Sequence, residues 1–146
     1  MRFKEGIVNE DFEMMPTCFE QVEKVAYTPV AYYHYFMSDQ SITRGIFKES
    51  RFTESDISRR HIDYYEKKYP ELKSYAVAKH VEICLVIIYA SSKAKEFASK
   101  RKELISEIKS FRMGSFFKLL DKKNKIKYLL FKINVGLYVF LMDIKG

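Results

Sequence analysis

The stretch ELKSYAVAKHVEICLVIIYASS, Glu71 to Ser92, decides how the chain reads. Val77, Val81, Cys84, Leu85 and Ile88 recur in it at helical spacing, with Ala76, Ile83, Ile87 and Ala90 beside them. Apolar residues three and four apart share one face of a helix, and here the face is unusually wide. A wide apolar face has to be covered from several sides. The spacing therefore predicts a long helix at the centre of a helical assembly.

Outward from this helix, further helical patterns follow on both sides. Upstream, Thr53-Glu54-Ser55-Asp56 resembles a capping-box start. Ile57, His61, Tyr64 and Tyr65 then form a helical face that ends before Pro70. Downstream, Lys95 to about Phe111 carries Phe97, Leu104, Ile105, Ile108 and Phe111 as the inward positions of a third helix. Gly114 marks a break. A short Ser115–Leu120 helix, a polar Asp121-Lys122-Lys123-Asn124 connector and one or two helices from Lys125 to about Asp143 complete the pattern.

The first fifty residues read differently. Residues 2 to 8 look extended. Asn9 is placed to cap a helix with Glu10 and Asp11 in its first turn, where the helix dipole favours acids. Phe12, Met15, Phe19 and Val22 follow at helical spacing, and Pro16 kinks or restarts that helix. Lys24–Tyr27 and Val30–Phe36, split by Thr28-Pro29, are rich in Val, Tyr and Phe and predict two short strands. A polar turn, Ser38-Asp39-Gln40-Ser41, leads into Ile42-Thr43-Arg44. The expected fold is thus mainly α: a helical tail of about four to six helices with a small β element of two short strands near the N-terminus. Residues 1–50 and 51–146 are the expected units.

Composition agrees with long regular elements. The 146 residues are 47% hydrophobic and 16% aromatic, with only 5 Gly and 3 Pro, enough to bury one core. Net charge is +7 and uneven: residues 93–146 hold 14 basic and 5 acidic residues, leaving 12 and 14 in residues 1–92. A basic helical tail interleaved with Phe116, Phe117, Tyr128, Phe131 and Tyr138 suits peripheral contact with an anionic membrane surface. Cys18 and Cys84 lie far apart in apolar surroundings and read as reduced core residues. No signal-peptide pattern and no apolar run of spanning length is visible.

Motifs with a known mechanism are few. There is no Gly-rich phosphate loop, no nucleophile elbow and no metal-ligand cluster. His80-Val81-Glu82 has the spacing of a zinc deaminase motif but lacks the partner Pro-Cys-x-x-Cys, so His80 reads as a residue at the edge of the packed face. His34 and His61 read as packing or surface residues.

One ordered series carries a resemblance. Gly6-x-x-Asn9-Glu10-Asp11, a helix, Lys24-Val25-Ala26-Tyr27, Tyr32-Tyr33-His34-Tyr35 and Ser41-Ile42-Thr43 follow one another over about residues 3–47. The series resembles the C-terminal end of the catalytic domain in family 2 inverting glycosyltransferases of the A-type fold, many of which build bacterial surface polysaccharides. The resemblance implies sugar transfer from a nucleotide-sugar donor to a glycan acceptor. Asp11 would be the general base, Glu10 would orient the acceptor, and Asn9, Ser41, Thr43 and Arg44 would bind substrate. It also implies an upstream half with an Asp-x-Asp motif holding Mg or Mn, and no Asp-x-Asp occurs here. The chain is then expected to be a C-terminal fragment, with no cofactor of its own and inactive in isolation. Its expected location is the cytoplasm, at the inner face of the membrane where the basic tail touches it. Two other readings stand beside this one. The first is a non-enzymatic helical interaction or oligomerisation domain using the wide apolar face of residues 76–90. The second is a basic nucleic-acid-binding helical domain.

Overall fold

In a computed structural model of the chain, residues 9–34 and 47–145 are described. They form seven α-helices: α1 (Glu10–Glu20), α2 (Thr53–Lys68), α3 (Lys73–Ala90), α4 (Ala98–Ser110), α5 (Ser115–Leu119), α6 (Lys122–Ile133) and α7 (Val135–Lys145). Short 3-10 turns lead into α2, α3 and α4.

Helix α3 is the axis of the bundle. Ala76, Val77, Ala78, His80, Val81, Cys84, Leu85, Ile87 and Ile88 are all buried, and only a narrow stripe of Tyr75, Lys79 and Val86 is exposed. It packs against α2, α4, α5 and α6. Leu104 and Ile108 of α4, Phe116 of α5, Tyr128 and Phe131 of α6 and Tyr138 of α7 close the core around it. Burying each such side chain contributes roughly 1.5–3 kcal/mol. Tyr138 donates its hydroxyl to the Leu85 carbonyl at 3.0 Å, and Tyr128 donates to the Phe111 carbonyl at 2.9 Å. Both phenols therefore enter the core with their polar ends satisfied.

Local chemistry accounts for the helix boundaries. Pro70 cannot continue α2, and it opens the turn that delivers the chain into α3. Asp121 is not part of a loose connector: it is the N-cap of α6, accepting from the Asn124 N–H at 2.7 Å. Asn134 alone separates α6 from α7 and caps α7, its side-chain oxygen accepting from the Leu137 N–H at 3.0 Å. Thr53 differs from the capping-box expectation. It is the first helical residue of α2, and its hydroxyl donates back to the Ser50 carbonyl.

The expected β element is corrected. No strand occurs among the described residues, and the described fold is all-α. Lys24–Tyr27 and residues 30–34 have no regular structure, and Tyr27, Tyr32 and Tyr33 are 80–90% exposed. Val-, Tyr- and Phe-rich segments become strands only when a neighbour takes their N–H and C=O groups and covers one face. Among the described residues no such neighbour lies beside them. Residues 2–8, Tyr35 and Phe36 lie outside the described set. An A-type glycosyltransferase fold needs a sheet covered by helices, and an all-helical bundle does not supply one. The glycosyltransferase resemblance, its fragment reading and its sugar-transfer activity are therefore set aside.

The apolar face of residues 76–90, expected as a possible oligomer contact, is corrected as well. Most of it is the interior of this bundle, and Val86 is the large apolar residue of that stretch left exposed. Among the described residues, no helix is long and apolar enough to cross a membrane.

The α6 cap gives a direct check on this assignment. Asp121→Ala should lower stability by about 1 kcal/mol. Urea denaturation should show a lower midpoint with an unchanged slope.

Candidate functional site

Of the site residues singled out in the sequence, Asn9, Glu10 and Asp11 are described, and they stand at the start of α1. Glu10 and Asp11 lie exposed in the first turn of α1, where Asp11 Oδ1 accepts from the Phe12 N–H at 2.7 Å. Asn9 precedes them at φ 63°, a left-handed conformation that asparagine tolerates, and its side chain makes no capping bond. Ser41, Thr43 and Arg44 lie outside the described residues. Among the described residues, no group of three or more His, Cys, Asp or Glu side chains is arranged to hold a metal ion.

Helix α1 is held on α2 by side chains. Phe12 meets the His61 ring edge-on at 4.7 Å between centroids. Glu13 pairs with Arg60, and Glu20 receives Lys68 at 2.8 Å. Pro16 is buried in this contact. Between α1 and the α2–α3 pair runs an open apolar groove of about 260 Å³, walled by Phe12, Phe19, Tyr65 and Tyr75 with Ser58 at its floor.

Beneath Ser58 lies a polar cluster that the sequence did not reveal. His80 on α3 is fully buried. Its Nδ1 lies 2.7 Å from the Ser58 hydroxyl, and its Nε2 lies 3.2 Å from Glu107 Oε1 on α4. Arg59 clamps the same carboxylate with two guanidinium nitrogens. Burial would raise the Glu107 pKa. Hydrogen bonds from His80 and Arg59 outweigh it and hold the group at about 2. Glu107 is therefore ionised at neutral pH, and His80 Nε2–H is the donor between them. The Ser58 oxygen is also 3.0 Å from the Ser55 carbonyl, so its one proton serves either that carbonyl or Nδ1.

Serine, histidine and glutamate in contact invite comparison with a hydrolytic triad, and the geometry argues against one. Ser58 is 1% exposed, and it lies inside α2, where neighbouring N–H groups are spent on helical carbonyls. An oxyanion hole needs unspent donors beside the nucleophile. Cys84, close by, has its thiol pKa pushed up by burial, so it is not a thiolate nucleophile either. The cluster is a polar pin joining α2, α3 and α4. Its only sequence signal was His80 itself, a histidine one turn before Cys84 within an apolar run.

The remaining concentration of unusual chemistry is the α6–α7 hairpin. Ile126, Leu129 and Ile133 on α6 are exposed, as are Leu137, Phe140 and Ile144 on α7. Each trio recurs at i, i+3, i+7, so each is a stripe on its own helix. Lysines at 122, 123, 125, 127 and 132 interleave with the first stripe. No protein family, curated protein or solved structure matches the chain.

The polar pin makes stability depend on pH. Glu107 titrates lower in the folded protein than its ordinary value of 4.5. The stability it supplies is complete above about pH 4.5 and is lost as pH falls toward 2. Glu107→Gln should flatten thermal midpoints across that interval. Glu107→Ala should cost roughly 1–3 kcal/mol at pH 7, because the buried His80 ring loses its acceptor.

Proposed function

We propose that the chain is a non-enzymatic helical interaction module whose working surface is the α6–α7 hairpin. The observation that carries this reading is the double-sided apolar character of both helices. Their inward faces place Tyr128, Phe131 and Tyr138 in the core. Their outward faces hold Ile126, Leu129, Ile133, Leu137, Phe140 and Ile144, with Ile133 at 76% exposure. The inward residues already serve folding. Outward isoleucine and phenylalanine side chains add nothing to the isolated bundle and gain by burial against something else.

The rest of the molecule supports a rigid presenting role. The α3 core and the His80–Glu107 pin hold α2, α3 and α4 in fixed relation, and Tyr138 ties α7 to α3. A surface mounted on such a frame loses little conformational freedom when it docks.

A photo-crosslinking amino acid at position 133 or 140 in the full chain, expressed in cells, tests the reading. These positions should give several-fold more covalent protein adducts than exposed Asp63 or Glu71. Equal yields at all four positions would reject α6–α7 as the working surface. Ile133→Asp with Phe140→Asp should remove adducts from a crosslinker at position 137. Stability should change by no more than about 0.5 kcal/mol per substitution, as expected for surface positions.

A further inference from the structure

We infer that the groove between α3, α6 and α7 receives an acidic amphipathic helix of a partner protein. This inference rests on the reading of α6–α7 as the working surface and names the chemistry of what binds there. The groove has a volume of about 480 Å³. Val86 of α3, Ile126 and Leu130 of α6 and Leu141 of α7 line it, and Lys123 and Lys127 stand on its α6 wall. Val86 and Ile126 remain 44% and 56% exposed at its mouth.

Shape selects a helix. The groove lies between packed helices, and the ridge formed by side chains four apart on a third helix is the shape that fills such a channel. Apolar anchors at i, i+3, i+4 and i+7 on that third helix would cover Val86 and Ile126 together. A flat lipid surface meets the rims of a concave site and leaves its floor uncovered.

Charge selects the sign. Lys123 and Lys127 are one turn apart on α6, and neither has an ion-pair partner among the described residues. Lys122 and Lys125 flank them. The nearby acids are already engaged: Asp143 accepts from Lys93 and Tyr89, and Asp121 caps α6. A second copy docking here through its own α6 would bring the same lysines and meet like charge. A partner helix with carboxylates beside its apolar stripe would meet complementary charge, which fixes its orientation and raises its association rate.

The test uses the full chain and a fluorescein-labelled designed helix of about 16 residues, a little over four turns. Leucines at i, i+4, i+7 and i+11 form one face, and glutamates fill the rest. A second peptide keeps the leucines and replaces every glutamate with lysine. Anisotropy should show the acidic peptide binding at least about tenfold more tightly than the basic one, with affinity falling as salt rises. Lys123→Glu with Lys127→Glu should weaken it about tenfold, and Ile126→Asp should abolish binding without lowering the thermal midpoint. Equal binding of both peptides overturns the acidic specificity. Two outcomes would overturn the partner helix but leave α6–α7 as the working surface. One is tighter binding to phosphatidylserine-rich vesicles, lost in Ile126→Asp; the other is a doubled solution mass that Ile126→Asp halves. Engagement of none of these probes, together with equal crosslinking yields, overturns both readings.

Discussion

The burial of α3 on all but the narrow Tyr75–Lys79–Val86 stripe is the constraint from which the rest of the bundle follows. A helix with core residues on nearly every side needs neighbours on nearly every side. Here α2, α4, α5 and α6 supply them, with α7 reaching in through Tyr138. Each neighbour needs only one inward face. Those faces are narrow: Leu104 and Ile108 on α4, Tyr128 and Phe131 on α6. What the outer helices carry on their other faces is then free to vary without loss of the fold. That freedom makes an exposed Ile133 or Phe140 informative.

Putting a histidine at the middle of such a helix would ordinarily destabilise it, because a buried polar ring must replace every hydrogen bond it gave up to water. His80 does so on both sides, to Ser58 and to Glu107. The paired groups come from three helices, so the bonds can form only when α2, α3 and α4 are in register. An apolar residue at that position would fill the space and leave the register less sharply defined. The arrangement is one of alignment rather than reactivity, and it explains why a serine, a histidine and a glutamate meet without an accessible nucleophile.

The legible part of the sequence was its 3.6-residue periodicity. The width of the apolar face from Val77 to Ile88 correctly marked α3 as central, and Pro70 and Gly114 marked real breaks. The β-prone composition of Lys24–Tyr27 and Val30–Phe36 misled. Such residues state a preference that only a neighbouring strand can realise, and the described part of the chain offers none. The same ordered series carried the glycosyltransferase resemblance, which is why fold and function were misread together. Asp121 was hidden because capping depends on where the next helix begins, and four polar residues in a row look alike as a connector. The His80 cluster was hidden for a different reason. Ser58, His80 and Glu107 are separated by more than twenty residues at each step, and no local pattern brings them together.

The hydrogen bond from Tyr138 to the Leu85 carbonyl joins residues 53 positions apart. It bears on the order in which the molecule assembles. The α2–α3 pair is close in sequence and can form early, whereas the loop that returns Tyr138 to α3 closes slowly by comparison. Until it closes, Tyr138 has not reached its place in the core. A chain caught in that interval exposes a core residue as well as the outward stripes of α6 and α7. Its yield on refolding should depend on concentration even though each helix forms rapidly by itself.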